Sequence, residues 1–172
     1  MKQLALFFFI LYSVFFQAQD KTVFDIARKG TLSEIQAIYS RNPELVNAVN
    51  DNKSTPLILA CYRNNEAVAL YLIDKVSNIN YNSGMGTALM AAIMSGNKVI
   101  IEKLIAKKAD LDQTDTQGKT ALIYAAFNNN TEIVQMLLKA GANKKLADTE
   151  NRTALEYAKF NKNTQLIILL DN

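Results

Sequence analysis

Asp115-Thr-Gln-Gly118-Lys-Thr120-Ala-Leu122-Ile-Tyr-Ala125-Ala126 decides the fold, because the Thr-x-Leu-x-x-Ala pattern inside it occurs three more times in the chain. The other copies are Thr55, Leu57, Ala60; Thr87, Leu89, Ala92; and Thr153, Leu155, Ala158, and the threonines stand 32, 33 and 33 residues apart. Three residue types held in register over four copies mark a structural repeat, and a period near 33 residues is that of stacked supersecondary units.

Working outward, each Ala is followed by a short polar turn: Asn64-Asn65, Gly96-Asn97, Asn129-Asn130 and Lys162-Asn163. Apolar positions then return at helical spacing, as in Val68, Tyr71, Leu72 and in Ile133, Met136, Leu137. Two short antiparallel helices per unit follow. The threonine precedes the first helix, where its hydroxyl can accept a bond from a first-turn N–H, and Pro56 falls where a missing N–H costs least. The alanines leave room for neighbouring helices to approach closely. Each unit is unable to bury its apolar face alone, so stability comes from stacking.

These residues resemble the ankyrin family, whose repeat of about 33 residues joins a hairpin turn to two helices and opens Thr-Pro-Leu-His-x-Ala. The unit at Asp115 matches best, and it continues with Glu132-Ile133-Val134, Leu137-Leu138 and Gly141-Ala142. Residues 23–50 resemble the family's divergent N-terminal cap through Ile26, Ala27, Gly30, Ile35 and Asn42-Pro43-Glu44-Leu45-Val46-Asn47. The resemblance implies an all-α ankyrin-repeat solenoid of helix-turn-helix units joined by β-hairpin-like turns. Its cap would span 22–50 and its repeats about 51–81, 82–114, 115–147 and 148–172.

The chain departs from the family pattern in three places. The histidine is replaced by Ile58, Met90, Ile123 and Glu156, which exchanges an inter-repeat hydrogen-bond network for apolar packing in three copies. The third unit is one residue short before Thr87, and its Gly84-Met85-Gly86 predicts a reshaped, more mobile tip. The last helix stops at Leu170, so the C-terminal cap is brief.

The N-terminus reads differently. Lys2 precedes an uncharged, largely apolar run from Leu4 to Phe16 and then the polar Gln17-Ala-Gln-Asp20, the shape of a secretory signal peptide. A spanning helix needs about 20 apolar residues, and this run has thirteen. The expectation is a leader over 1–19, cleaved ahead of a domain at 20–172, and a periplasmic or secreted product with no stable membrane insertion after cleavage. The net charge of +3 on 172 residues, lowered by one on losing Lys2, is too small to predict a nucleic-acid partner.

Catalytic chemistry finds little support. The chain has no histidine, which removes the usual general base and the commonest transition-metal ligand, and one cysteine cannot build a thiolate zinc site. Cys61 follows the repeat Ala, where a small buried side chain is expected; a redox thiol is the competing reading. The carboxylate pairs Asp110 with Asp112 and Asp148 with Glu150 fall in turns, where Asp bonds its own backbone. No catalytic residue, cofactor or metal is expected, and the chain is read as a non-enzyme.

What remains is surface. In the family the concave face is built from the turn tips and the residues ending each first helix, which implies a protein-binding set of Arg28, Tyr62, Arg63, Met94, Phe127, Asn128, Phe160 and Asn161. Tyr62, Met94, Phe127 and Phe160 form a row of large apolar groups of the types enriched at interface hot spots. The tips add Asn52, Lys53, Met85, Gln117, Lys119, Glu150 and Arg152. The function expected is non-catalytic binding of a protein partner. The alternatives are weak self-association through the C-terminal edge around Ile168, or redox chemistry at Cys61.

Overall fold

The computed structural model describes residues 21–171, so the leader expected over 1–19 lies outside the described residues. The helices come in pairs. The first pair is α1 (Val23–Lys29) and α2 (Leu32–Arg41), followed by a short 3-10 helix at Pro43–Asn47. Four further pairs follow: α3 (Pro56–Tyr62) with α4 (Glu66–Ile73), α5 (Ala88–Ser95) with α6 (Lys98–Ala106), α7 (Ala121–Phe127) with α8 (Thr131–Lys139), and α9 (Ala154–Phe160) with α10 (Thr164–Asp171). The fold is an all-α solenoid. Among the described residues the only strand-like pairing is an isolated antiparallel bridge between Ala147 and Thr153.

Each first helix begins where the repeated threonine caps it. The hydroxyls of Thr55, Thr87 and Thr120 accept from the backbone N–H of Ile58, Met90 and Ile123, satisfying a donor that has no partner inside the helix. Thr153 works differently, donating its own N–H and hydroxyl to the carboxylate of Glu156. This gives the departure at Glu156 a role: the residue that replaces the family histidine closes the helix start instead.

First helices stack on first helices in the order α1, α3, α5, α7, α9, and the second helices pack behind them. Ala60, Ala92, Ala125 and Ala158 are fully buried along this stack, as close helix approach requires, and Ile58, Met90 and Ile123 are buried beside them. The residues that replace three of the family histidines are therefore core. Leu89 and Leu122, together with Leu72, Leu104 and Leu137 of the second helices, are also enclosed.

Polar ladders tie the units together. The side-chain amide of Asn65 donates to the carbonyls of Ile26, Ala27 and Gly30; that of Asn97 donates to Asn64 and Glu66, and that of Asn163 to Asn129 and Thr131. On the far side, the side-chain oxygens of Asn47, Asn80 and Asp112 accept the backbone N–H of Ser77, Asp110 and Asn143 in the following unit. The tips form a third ladder, in which the N–H of Thr116 bonds the carbonyl of Gly84 and that of Thr149 bonds the carbonyl of Gln117. Gly118 permits that approach: a Cβ there would sit 3.0 Å from the nitrogen of Thr149.

The structure relocates the missing residue of the third unit. Lys108 after α6 and Gly141 after α8 adopt positive φ, whereas no residue directly after α4 does. Val76 instead bonds back four residues to Leu72, where Ala109 and Ala142 reach back five, to Leu104 and Leu137. The deletion thus removes the left-handed residue that ends α4, and the 82–87 turn keeps the length of 115–120.

That turn is reshaped, with positive φ at both Gly84 and Gly86, but it is not slack. The Ser83 hydroxyl donates to the Gly86 carbonyl and accepts from the Met85 N–H, Asn82 accepts from the Gly84 N–H, and the Asn82 amide reaches the Thr114 carbonyl. This set of bonds, rather than a side chain from a neighbouring helix, holds the reshaped tip together.

Candidate protein-binding face

The last turn of each first helix ends at the edge of the stack, so its outermost side chain has no neighbouring helix to pack on. Tyr62, Met94, Phe127 and Phe160 stand there and remain 57%, 45%, 51% and 82% exposed. Met85 at the reshaped tip is 85% exposed. Large apolar groups left in water at one recurring position are an unusual expense for a folded chain.

Tips and first-helix ends meet on this face. Lys119 of the 115–120 turn places its ammonium 5.6 Å from the Phe127 ring centre and 6.0 Å from that of Tyr124, while donating to the Gln117 side chain. Phe127 also meets Tyr157 of the next unit edge to face, with ring centres 5.7 Å apart. The Arg63 guanidinium lies 5.7 Å from the centre of the Tyr62 ring, and that of Arg152 lies 4.9 Å from Tyr157. Cations held over ring faces in this way gain electrostatic attraction and lose freedom.

Other predicted binding residues are partly committed to the fold. Asn161 donates to the carbonyls of Ala126 and Phe127, and Asn128 reaches the sulfur of Met94. Arg28 lies 3.5 Å from the Asp25 carboxylate of its own helix. Arg152 pairs with Glu150 at 2.7 Å and with buried Asp148 at 3.5 Å. Asn52, Lys53 and Gln117 are exposed at their tips.

Beneath the last two tips lies a device absent from the predicted set. The hydroxyl of Tyr124 donates to Asp115 at 2.6 Å, and that of Tyr157 donates to Asp148. The other oxygen of each carboxylate accepts two N–H groups of its own turn, from Gln117 and Lys119 and from Glu150 and Arg152. Burial and the Asp148 bond push the Tyr157 phenol up to about 12. Burial works to raise Asp148 as well, yet the bonds from Tyr157, Arg152 and Glu150 outweigh it and hold the carboxyl below its ordinary value. The signal was present in the sequence: an aspartate nine residues ahead of a tyrosine occurs twice, one repeat apart.

The reactive-group candidates resolve clearly. Cys61 is wholly buried in α3, and burial drives its thiol pKa far up, away from the thiolate that redox chemistry needs. That leaves the alternative of a redox protein without an accessible thiolate. Asp110 accepts from the Asp112 N–H, and Asp112 accepts from Asn143 in the next unit, so this pair serves the turns. Among the described residues no cluster of three or more His, Cys, Asp or Glu is placed to hold a metal, and no helix is long and apolar enough to cross a membrane. A cleft of about 110 Å³ lies between the 3-10 helix and the loop after α4, lined by Val46, Val49, Val76 and Tyr81 among others.

Helix pairs stacked at a fixed period, with large apolar side chains left in the last turn of four of the five first helices, define a repeat solenoid, a class that acts through its surface. A sequence profile of the family described as "Ankyrin repeats (3 copies)" matches residues 23–115 and 89–172, and the chain belongs to the ankyrin-repeat family. Ankyrin repeats generally mediate protein–protein interaction and are typically non-catalytic. Over 100 residues the chain is 30% identical to ankyrin repeat and SAM domain-containing protein 6 of Rattus norvegicus and 29% identical to the protein of that name from Mus musculus. The match covers 57% of this chain but only 11% of each relative's length.

Proposed function

We propose that this protein is an exported, non-catalytic binding module that holds a protein partner on the face formed by its first-helix ends and turn tips. One observation carries the reading: four successive first helices each carry an exposed Tyr, Met or Phe in their last turn. Burying such groups against a partner contributes about 25 cal/mol per Å² of apolar area, and aromatic anchors of this kind dominate measured interfaces. Export rests on the charge and apolar pattern of residues 1–19, with a domain that begins at 20. The periplasm or the medium is the compartment that pattern fits.

The test is affinity capture from the exported fraction of the source cells. The bait is the full-length gene product, tagged at its C-terminus, beside a Tyr62→Ala, Phe127→Ala, Phe160→Ala version matched in thermal stability. A partner retained by the first and lost by the second supports the reading, and equal capture by both sinks it. The mass of the recovered protein checks export: loss of the first 18 or 19 residues is expected, and an intact N-terminus rejects the leader.

A further inference from the structure

The charge of the same face selects among partners, an inference that rests on the binding reading above. Its basic groups and its carboxylates are not equally available. Asp115 and Asp148 are buried and bonded to their own turns and tyrosines, and Glu150 is paired with Arg152. Asp51 is left as the exposed acid of the tips. Among the described residues the side-chain cations of Lys53, Arg63 and Lys119, by contrast, reach no carboxylate. Arg63 and Lys119 are also pre-positioned, each held beside an exposed ring of the apolar row.

We infer that the partner is a protein segment with an extended, acidic and apolar stretch, whose carboxylates bond Arg63 and Lys119 while its apolar side chains cover Met94, Phe127 and Phe160. Spacing sharpens the match. Arg63 directly follows a first helix two units before the turn that carries Lys119, and packed helices lie about 8–10 Å apart. The two cations are therefore separated by about 16–20 Å along the stack, which an extended chain spans in about five or six residues at about 3.3 Å each. Met85 and Met94 lie in the unit between them and call for apolar side chains between the two acids. A single-stranded nucleic acid would also stack on rings, but it carries a charge at every nucleotide and uses a continuous basic groove. Two ring-held cations separated by a tip and first helix that carry no charge suit two carboxylates better.

The experiment uses the full chain and a synthetic peptide with two glutamates about five residues apart, leucine between them and phenylalanine after the second, against the same peptide with glutamines. Binding is read by fluorescence anisotropy at low and high salt. The acidic peptide is expected to bind more tightly, with an advantage that shrinks in salt. Arg63→Gln and Lys119→Gln are each expected to weaken it about tenfold, the size of a lost bond to a charged group, and to leave the glutamine peptide nearly unchanged. Unaltered thermal melts check that these substitutions spare the fold.

Equal binding of the two peptides, indifference to Arg63→Gln and Lys119→Gln, or no binding of the acidic peptide overturns the acidic occupant. So does tighter binding of a single-stranded RNA of equal charge through the same residues. The Tyr62→Ala, Phe127→Ala, Phe160→Ala version separates the two ideas. Loss of both peptides with no effect of charge keeps the face and rejects the acid, whereas unchanged binding of both rejects the face as well.

Discussion

The turn at 82–87 and the turn at 148–153 occupy the same place in their repeats and are held by unlike chemistry. The first uses a serine hydroxyl and two glycines at positive φ. The second uses a buried carboxylate that gathers two N–H groups and the hydroxyl of Tyr157. Both belong to one continuous backbone ladder, in which Gly84 accepts from Thr116 and Gln117 accepts from Thr149. The repeat architecture thus demands the ladder, while the side chains beneath it are interchangeable. The 115–120 turn, with units on both sides, uses the same carboxylate and tyrosine as the last turn, so the choice follows the residue four places after the repeat threonine, Ala91 in one case and Tyr124 or Tyr157 in the others, rather than position in the stack.

If the two units share one core, truncating the same position in each should cost the same. Leu89→Ala and Leu122→Ala are each expected to destabilise by about 2–5 kcal/mol in denaturant melts. A cost confined to Leu122 would break the comparison by making the third unit a loose insert. The turns themselves come next. Asp148→Ala strands a buried hydroxyl and two N–H groups and is expected to cost about 2–3 kcal/mol, against about 1 kcal/mol for Ser83→Ala. Equal losses would mean that the two turns carry the same load after all.

Acid separates them further. The folded carboxyl of Asp148 lies below its ordinary value, so its contribution is complete above about pH 4, the unfolded range for Asp, and is lost as pH falls through the depressed folded value. Asp148→Asn should flatten that part of the pH–stability curve, and Ser83→Ala should leave its shape unchanged. The smallest effect expected lies on the exposed row. Phe160→Ala should alter stability by less than about 0.5 kcal/mol, and a larger loss in the melt would show that the ring supports the last unit.

Most of the fold was legible because the period, the capping threonines and the stacked alanines are each set by local chemistry repeated four times. The missing residue was misplaced for a physical reason. A gap shows in the sequence as a shortened spacing between Thr55 and Thr87, and only the hydrogen bond from Val76 to Leu72 places it at the end of α4. The exposed row at Tyr62, Met94, Phe127 and Phe160 was readable from the repeat register. The division of labour within the polar residues was not, since Asn161 spends its amide on carbonyls of the preceding unit. The tyrosine–aspartate clamps escaped notice because two copies in four units look like scatter until the side chains are seen to meet.

The asparagine ladder has a direction. Asn65, Asn97 and Asn163 all donate backward, to acceptors in the unit that precedes them in the chain. A polypeptide emerging from its site of synthesis, or threading through a pore, presents its N-terminal units first. Each later asparagine then arrives where its acceptors are already in place, so the array can assemble as it emerges, one unit templating the next.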